Sequence, residues 1–146
     1  MKTIFRLAVI IFGFLFVVSC ELESSNNGDL DGYWQMHTVD TLKNNISADT
    51  RSDGIFWAVQ MHLLEMIDSK NITPRVFFRF KNKGDSILLS DPYINQRDSG
   101  DIKLTNSDVL RAYGLTSLRF TLKIVKLSSS EMVLQTDSLR MHFRKY

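Results

Sequence analysis

Leu118-Arg119-Phe120-Thr121-Leu122-Lys123-Ile124 places an apolar residue at every second position and a polar or charged one between. A strand sends successive side chains to opposite faces, whereas a helix would need a period near 3.6. The stretch is therefore a strand with one apolar and one wet face. Downstream, Ser128-Ser129-Ser130 marks a turn, Met132-Val133-Leu134 follows, and Thr136-Asp137-Ser138 turns again. Leu139, Met141 and Phe143 then alternate with Arg140, His142 and Arg144. Three strands joined by two short turns predict an antiparallel meander.

The same period extends upstream. Gly32 to Val39 sets Trp34, Met36 and Thr38 on one face, and Ile55, Trp57, Val59, Met61 and Leu63 alternate along one long run. Val76, Phe78 and Phe80 form another strand, returned to Ile87–Leu89 by the loop Lys81-Asn82-Lys83-Gly84-Asp85. Asp101 to Thr105 reads as a weaker strand. Asn106-Ser107-Asp108 predicts the start of a short helix over Val109 to Tyr113, stopped by Gly114. Asp40 to Asp53 is polar and irregular and reads as a long loop.

This makes eight candidate strands in one all-β domain, 31–146. Their shared apolar face must be hidden, and closing the sheet on itself does this while removing its edges. An antiparallel eight-stranded barrel with one short helix is the expected fold, and a two-sheet β-sandwich is the alternative. An eight-stranded barrel is just wide enough to be filled by its own side chains or to hold one small ligand. The expected inward set is Trp34, Met36, Trp57, Val59, Met61, Phe78, Phe80, Phe120, Leu122, Met141 and Phe143. These residues read either as the lining of an apolar pocket or as a packed core.

The first residues differ from the rest. Lys2 and Arg6 precede an uncharged run from Leu7 to Val18, too short to cross a bilayer as a stable helix and suited to a secretory signal peptide over 1–19. Val17-Val18-Ser19-Cys20 resembles the lipobox of bacterial lipoproteins, and Cys20 is the only cysteine of the 146 residues. The resemblance implies that Cys20 is acylated and that 20–30 tethers the domain to a lipid membrane. Several acyl chains together make an effectively permanent anchor. The net charge of +2 vanishes once Lys2 and Arg6 leave with the signal. A formally neutral remainder argues against a nucleic-acid partner.

Gly32-Tyr33-Trp34 opens the first strand directly after the tether. It resembles the G-x-W signature of lipocalins and their calycin relatives, in which the Trp plugs the closed end of the barrel. The resemblance implies that role for Trp34, with an Arg from near the end of the chain packed across it. Arg140 and Arg144 are the candidates, although alternation sets both opposite Leu139, Met141 and Phe143. The layout as a whole is similar to small lipocalin-like lipoproteins of Gram-negative gut-type bacteria, most of them without assigned activity. It implies anchoring at the outer membrane, on its periplasmic or surface face.

Chemistry is sparse. His37, His62 and His142 lack metal-ligand spacing, no Gly-x-Ser-x-Gly frames a nucleophile, and no glycine-rich phosphate loop occurs. No catalysis, metal or cofactor is expected. Asp40-Thr41-Leu42, Asp85-Ser86-Ile87 and Asp137-Ser138-Leu139 resemble an acceptor for bacterial O-glycosylation, and turn chemistry explains them equally. The expected function is binding of a small apolar ligand in the barrel. The alternative is an interaction or inhibitor protein that meets a protein partner through Asp40–Asp53 and Asp91–Asp101.

Overall fold

The computed structural model describes residues 25–146; the expected signal, lipobox and acylated Cys20 lie outside them. Ten strands follow in order: β1 (Gly32–Thr41), β2 (Ile46–Asp49), β3 (Ile55–Gln60), β4 (Leu63–Asp68), β5 (Val76–Asn82), β6 (Ser86–Ile94), β7 (Ile102–Lys103), β8 (Phe120–Leu127), β9 (Glu131–Gln135) and β10 (Leu139–Lys145). All pairings are antiparallel, in the order β10-β9-β8-β6-β5-β4-β3-β1, and β1 pairs back with β10. That last ladder closes an eight-stranded barrel and excludes the sandwich. β2 pairs with the distal half of β1, and β7 adds a short rung to β6.

The structure departs from the sequence reading in several details. The run Ile55–Leu63 is not one strand. It breaks at Met61, which takes φ 53° and starts the turn into β4. The eighth barrel strand is thus β4, while the expected strand at Asp101–Thr105 contributes only β7. In β1 the register with β10 slips between Met36 and Thr38, so His37 is an extra residue. A bulge shifts the alternation by one, so Val39, opposite Met141, packs against the core instead of Thr38. The expected loop Asp40–Asp53 also contains structure: the end of β1, all of β2 and a 3₁₀ turn at Arg51–Asp53.

Both ends of the barrel are filled. At one end, Leu30 and Trp34 are fully buried, and the Trp34 Nε1–H donates to the Leu30 carbonyl at 2.9 Å. At the other, the connection from β7 to β8 folds over the opening. Its 3₁₀ turn Val109–Tyr113 ends at Gly114, whose φ of 78° suits a residue without Cβ. Leu104, Leu110, Tyr113 and Leu115 from this connection join the barrel core. The Tyr113 hydroxyl donates to the Pro74 carbonyl at 2.9 Å, pinning the connection to the β4–β5 loop.

Candidate functional site

Nine of the eleven expected inward residues are buried in one continuous core: Trp34, Met36, Trp57, Val59, Phe78, Phe80, Leu122, Met141 and Phe143. Phe120 is half-buried against them, its ring 6.5 Å from Phe78 and edge-on. Met61 is the exception. As a turn residue it sits at the barrel rim, half-buried, and lines no lumen. The lumen also receives Leu64, Met66, Ile87, Leu89, Met132 and Leu134, each fully buried. Trp57 and Phe143 lie across it with ring centroids 4.8 Å apart. The Trp57 Nε1–H is buried and has no hydrogen-bond partner.

The Trp34 end carries a cation, though not an arginine. Lys145 faces Trp34 across the β1–β10 ladder, its Nζ 4.6 Å from the indole centroid. The same Nζ donates to the Asp29 carbonyl at 3.0 Å. Arg140 instead donates from Nε to Gln135 on the outer wall, and Arg144 is exposed. Neither takes the position the resemblance assigned to it.

The segment from Ser25 onward is docked at the same end. Ser25 Oγ donates to Asp31 Oδ1 at 2.5 Å, and Asn27 Nδ2 donates to the same oxygen at 2.7 Å. The Met61 N–H donates to Ser25 Oγ at 2.7 Å, and Asn27 Nδ2 reaches the Met61 carbonyl at 2.8 Å. Burial alone would raise the Asp31 carboxyl, but these bonds outweigh it and hold the group below the usual carboxylate range.

At the opposite end Asp68 is buried and accepts backbone N–H bonds from Lys70, Ile72 and Thr73 at 2.8, 3.1 and 2.9 Å. Burial pushes against its ionised form, yet the three donors lower its pKa. Burial, with the Asp68 charge added, pushes the neighbouring Tyr113 phenol up to about 12.

Among the hollows over the described residues, two on the outer wall bring together side chains of interest. One, of about 550 Å³, lies over β3, β4 and β5 beneath the 95–101 loop, on Ala58, Leu63, Glu65 and Phe77. The other, of about 700 Å³, is lined by His37, Asp40, His142 and Arg144 together with Val133 and Phe143. In it His142 Nε2 lies 2.7 Å from Asp40 Oδ2, and Ser47 Oγ donates to Asp40 Oδ1 at 2.7 Å. Those two bonds, from Ser47 first, keep the Asp40 carboxyl low. Among the described residues no three His, Cys, Asp or Glu side chains converge as a metal site, and no helix is long and apolar enough to cross a membrane.

A closed antiparallel eight-stranded barrel, opened by Gly32-Tyr33-Trp34 and capped by a lysine on that Trp, defines a lipocalin-like protein. A family model described as a lipocalin-like domain matches residues 14–146, and the chain belongs to that family. Among solved structures it is similar to a lipocalin-like protein from Bacteroides uniformis ATCC 8492, with 22% identity and a TM-score of 0.61 over 82% of this chain and 100% of the other. It is also similar to an uncharacterized protein from Bacteroides eggerthii DSM 20697, with 16% identity and a TM-score of 0.57 over 80% of this chain and 98% of the other. At these identities the likeness speaks for the fold alone. No curated protein matches the sequence.

Proposed function

We propose that this protein is a binding module held at the outer membrane by acylated Cys20, and that its barrel takes a small apolar ligand bearing a hydrogen-bond acceptor. The observation that carries this reading is the unpartnered Trp57 Nε1–H inside the lumen. A buried donor left unmade costs about 1–3 kcal/mol, which an acceptor on the ligand would recover. Met36, Met66, Met132 and Met141 line the same space. Their unbranched side chains repack more readily than branched ones. Access would run past the connection over the Tyr113 end, which joins the sheet upstream through only the two-residue β7.

The test is tryptophan fluorescence titrated with fatty acids, haem and aromatic probes. Saturable quenching in the parent, weakened by Trp57→Phe, supports the reading; silence toward every probe ends it. Anchoring is tested separately. Cys20→Ala protein should leave the detergent phase, and its retention there after signal removal would count against lipidation.

A second reading, interaction with a protein through the loops, is favoured by the filled lumen: Trp34, Trp57, Leu64, Met66, Phe78 and Leu122 are fully buried against one another. Under it the titration stays silent, and substitutions in Asp40–Asp53 or Asp91–Asp101 weaken capture of the partner.

A further inference from the structure

One cross-strand row on the outer wall runs Tyr33, Ala58, Glu65, Phe77, Tyr93 through β1, β3, β4, β5 and β6. Residues in such a row project on the same face, and with strands about 4.8 Å apart Tyr33 and Phe77 stand roughly 14 Å from each other. Between them lie only a methyl group and a carboxylate. Each end of the row is a doubled aromatic platform. Phe56 stacks on Tyr33 with centroids 4.9 Å apart, and Tyr93 stacks on Phe77 at 5.5 Å. The hollow of about 550 Å³ opens over the Phe77 end, where Leu63, 43% exposed, extends the apolar floor. Its rim is polar: Gln60, Asn95, Gln96, Arg97 and Asp101.

The rim is held in place by the scaffold. Asn95 Nδ2 donates to Glu65 Oε1 at 2.7 Å, and the Asn95 N–H donates to the Arg75 carbonyl at 3.0 Å. The Gln96 N–H donates to Asp101 Oδ1 at 3.1 Å. A pre-set polar rim lowers the ordering cost of binding. It also narrows the ligand. A purely apolar molecule would strip water from the remaining donors and acceptors of this rim and offer nothing in exchange, a cost that reduces its advantage. A strongly charged molecule finds two acids, Glu65 and Asp101, against one Arg97, and no clear electrostatic gain. A sugar ring satisfies both halves. Its C–H face lies on an aromatic ring, and its hydroxyls both donate and accept toward planar amide, carboxylate and guanidinium groups.

We propose that this outer-wall row binds a neutral oligosaccharide. One ring rests on Phe77 beneath the 95–101 loop, and the chain crosses Ala58 and Glu65 toward the Tyr33–Phe56 platform. The site is separate from the lumen and does not depend on the barrel holding a ligand.

The test is two-dimensional NMR of the full-length protein in detergent micelles, titrated with maltotetraose, cellotetraose and chitotetraose, with decanoate as an apolar control. At least one sugar should give saturable shifts centred on Ala58, Glu65, Phe77 and Asn95, including the Asn95 side-chain amide. Phe77→Leu, which keeps an apolar residue on the wall, should weaken that binding about fivefold. Asn95→Ala, in the loop, should weaken it as well and serves if Phe77→Leu misfolds. The proposal is overturned by the absence of shifts with all three sugars, by equal binding to both variants, or by decanoate occupying these residues in their place.

Discussion

Lys145 lies directly over Trp34: the two pair across the ladder that closes the barrel, with the ammonium 4.6 Å from the indole centroid. The contact seals one end of the core with a charge that stays in reach of water while its stem covers the ring. The stem also runs beside Gly32, where a Cβ would come within 3.0 Å of Lys145 Cε. With φ at 133°, Gly32 is the residue that the backbone and the lysine both require.

Trp34→Ala should therefore cost about 3–5 kcal/mol, the range for a buried aromatic, and Trp34→Phe less, losing the bond to the Leu30 carbonyl. Lys145→Ala should cost about 1 kcal/mol and Lys145→Arg almost nothing. Urea unfolding curves of the four variants check the ranking.

Asp68 makes the domain acid-sensitive at one end. Its folded-state pKa lies below the unfolded one, so its contribution is fully present above the ordinary carboxylate value of 3.8 and is lost as the pH falls through the folded value. Asp68→Asn should remove part of that acid dependence. Asp68→Ala should cost about 1–3 kcal/mol by orphaning three N–H groups. Unfolding free energy measured from pH 7 down to about pH 3 distinguishes the variants from the parent.

Tyr113 gives the mirror case in alkali. A phenol raised from 10.0 to about 12 contributes stability present below the unfolded value and lost as pH climbs between the two. Tyr113→Phe should flatten the stability profile across that window and cost about 1 kcal/mol near neutrality through the lost bond to Pro74. Ultraviolet titration should find this phenolate appearing together with unfolding.

Asp31→Ala should free the Ser25–Asn27 segment from the β3–β4 turn. Hydrogen exchange at the Met61 amide, held by Ser25 Oγ in the parent, should accelerate while the Trp57 amide stays protected. Equal acceleration at both would mean that Asp31 supports the whole barrel and not the segment.

The meander from Leu118 to Phe143 was legible because its alternation runs between turns of Ser, Thr and Asp that carry their own signals. The β3–β4 hairpin was hidden because Val59, Met61 and Leu63 keep the period straight through a turn that has no Gly, Asn or Pro at the position needing positive φ. The bulge at His37 left no mark in composition, so Thr38 and Val39 exchanged faces unseen. The covering connection was missed as core because Leu110 and Tyr113 belong to a single 3₁₀ turn, too short for a period to show. The partner of Trp34 is within reach of the sequence: Lys145 continues the parity of Met141 and Phe143, which neither Arg140 nor Arg144 shares. The outer-wall row could not be read at all, since it depends on register among five strands.

The clasp between Ser25, Asn27, Asp31 and the Met61 turn has a consequence for posture. Under the proposed acylation of Cys20, the folded protein begins at Ser25, at most about 18 Å of chain from the lipid. Ser25 is bound at the Trp34 end, so that end would be turned toward the bilayer and the Tyr113 end outward. The protein would then stand on the membrane like a cup on its base. Its lid would open to the aqueous side, and its loading would draw on solutes passing by, not on lipids below.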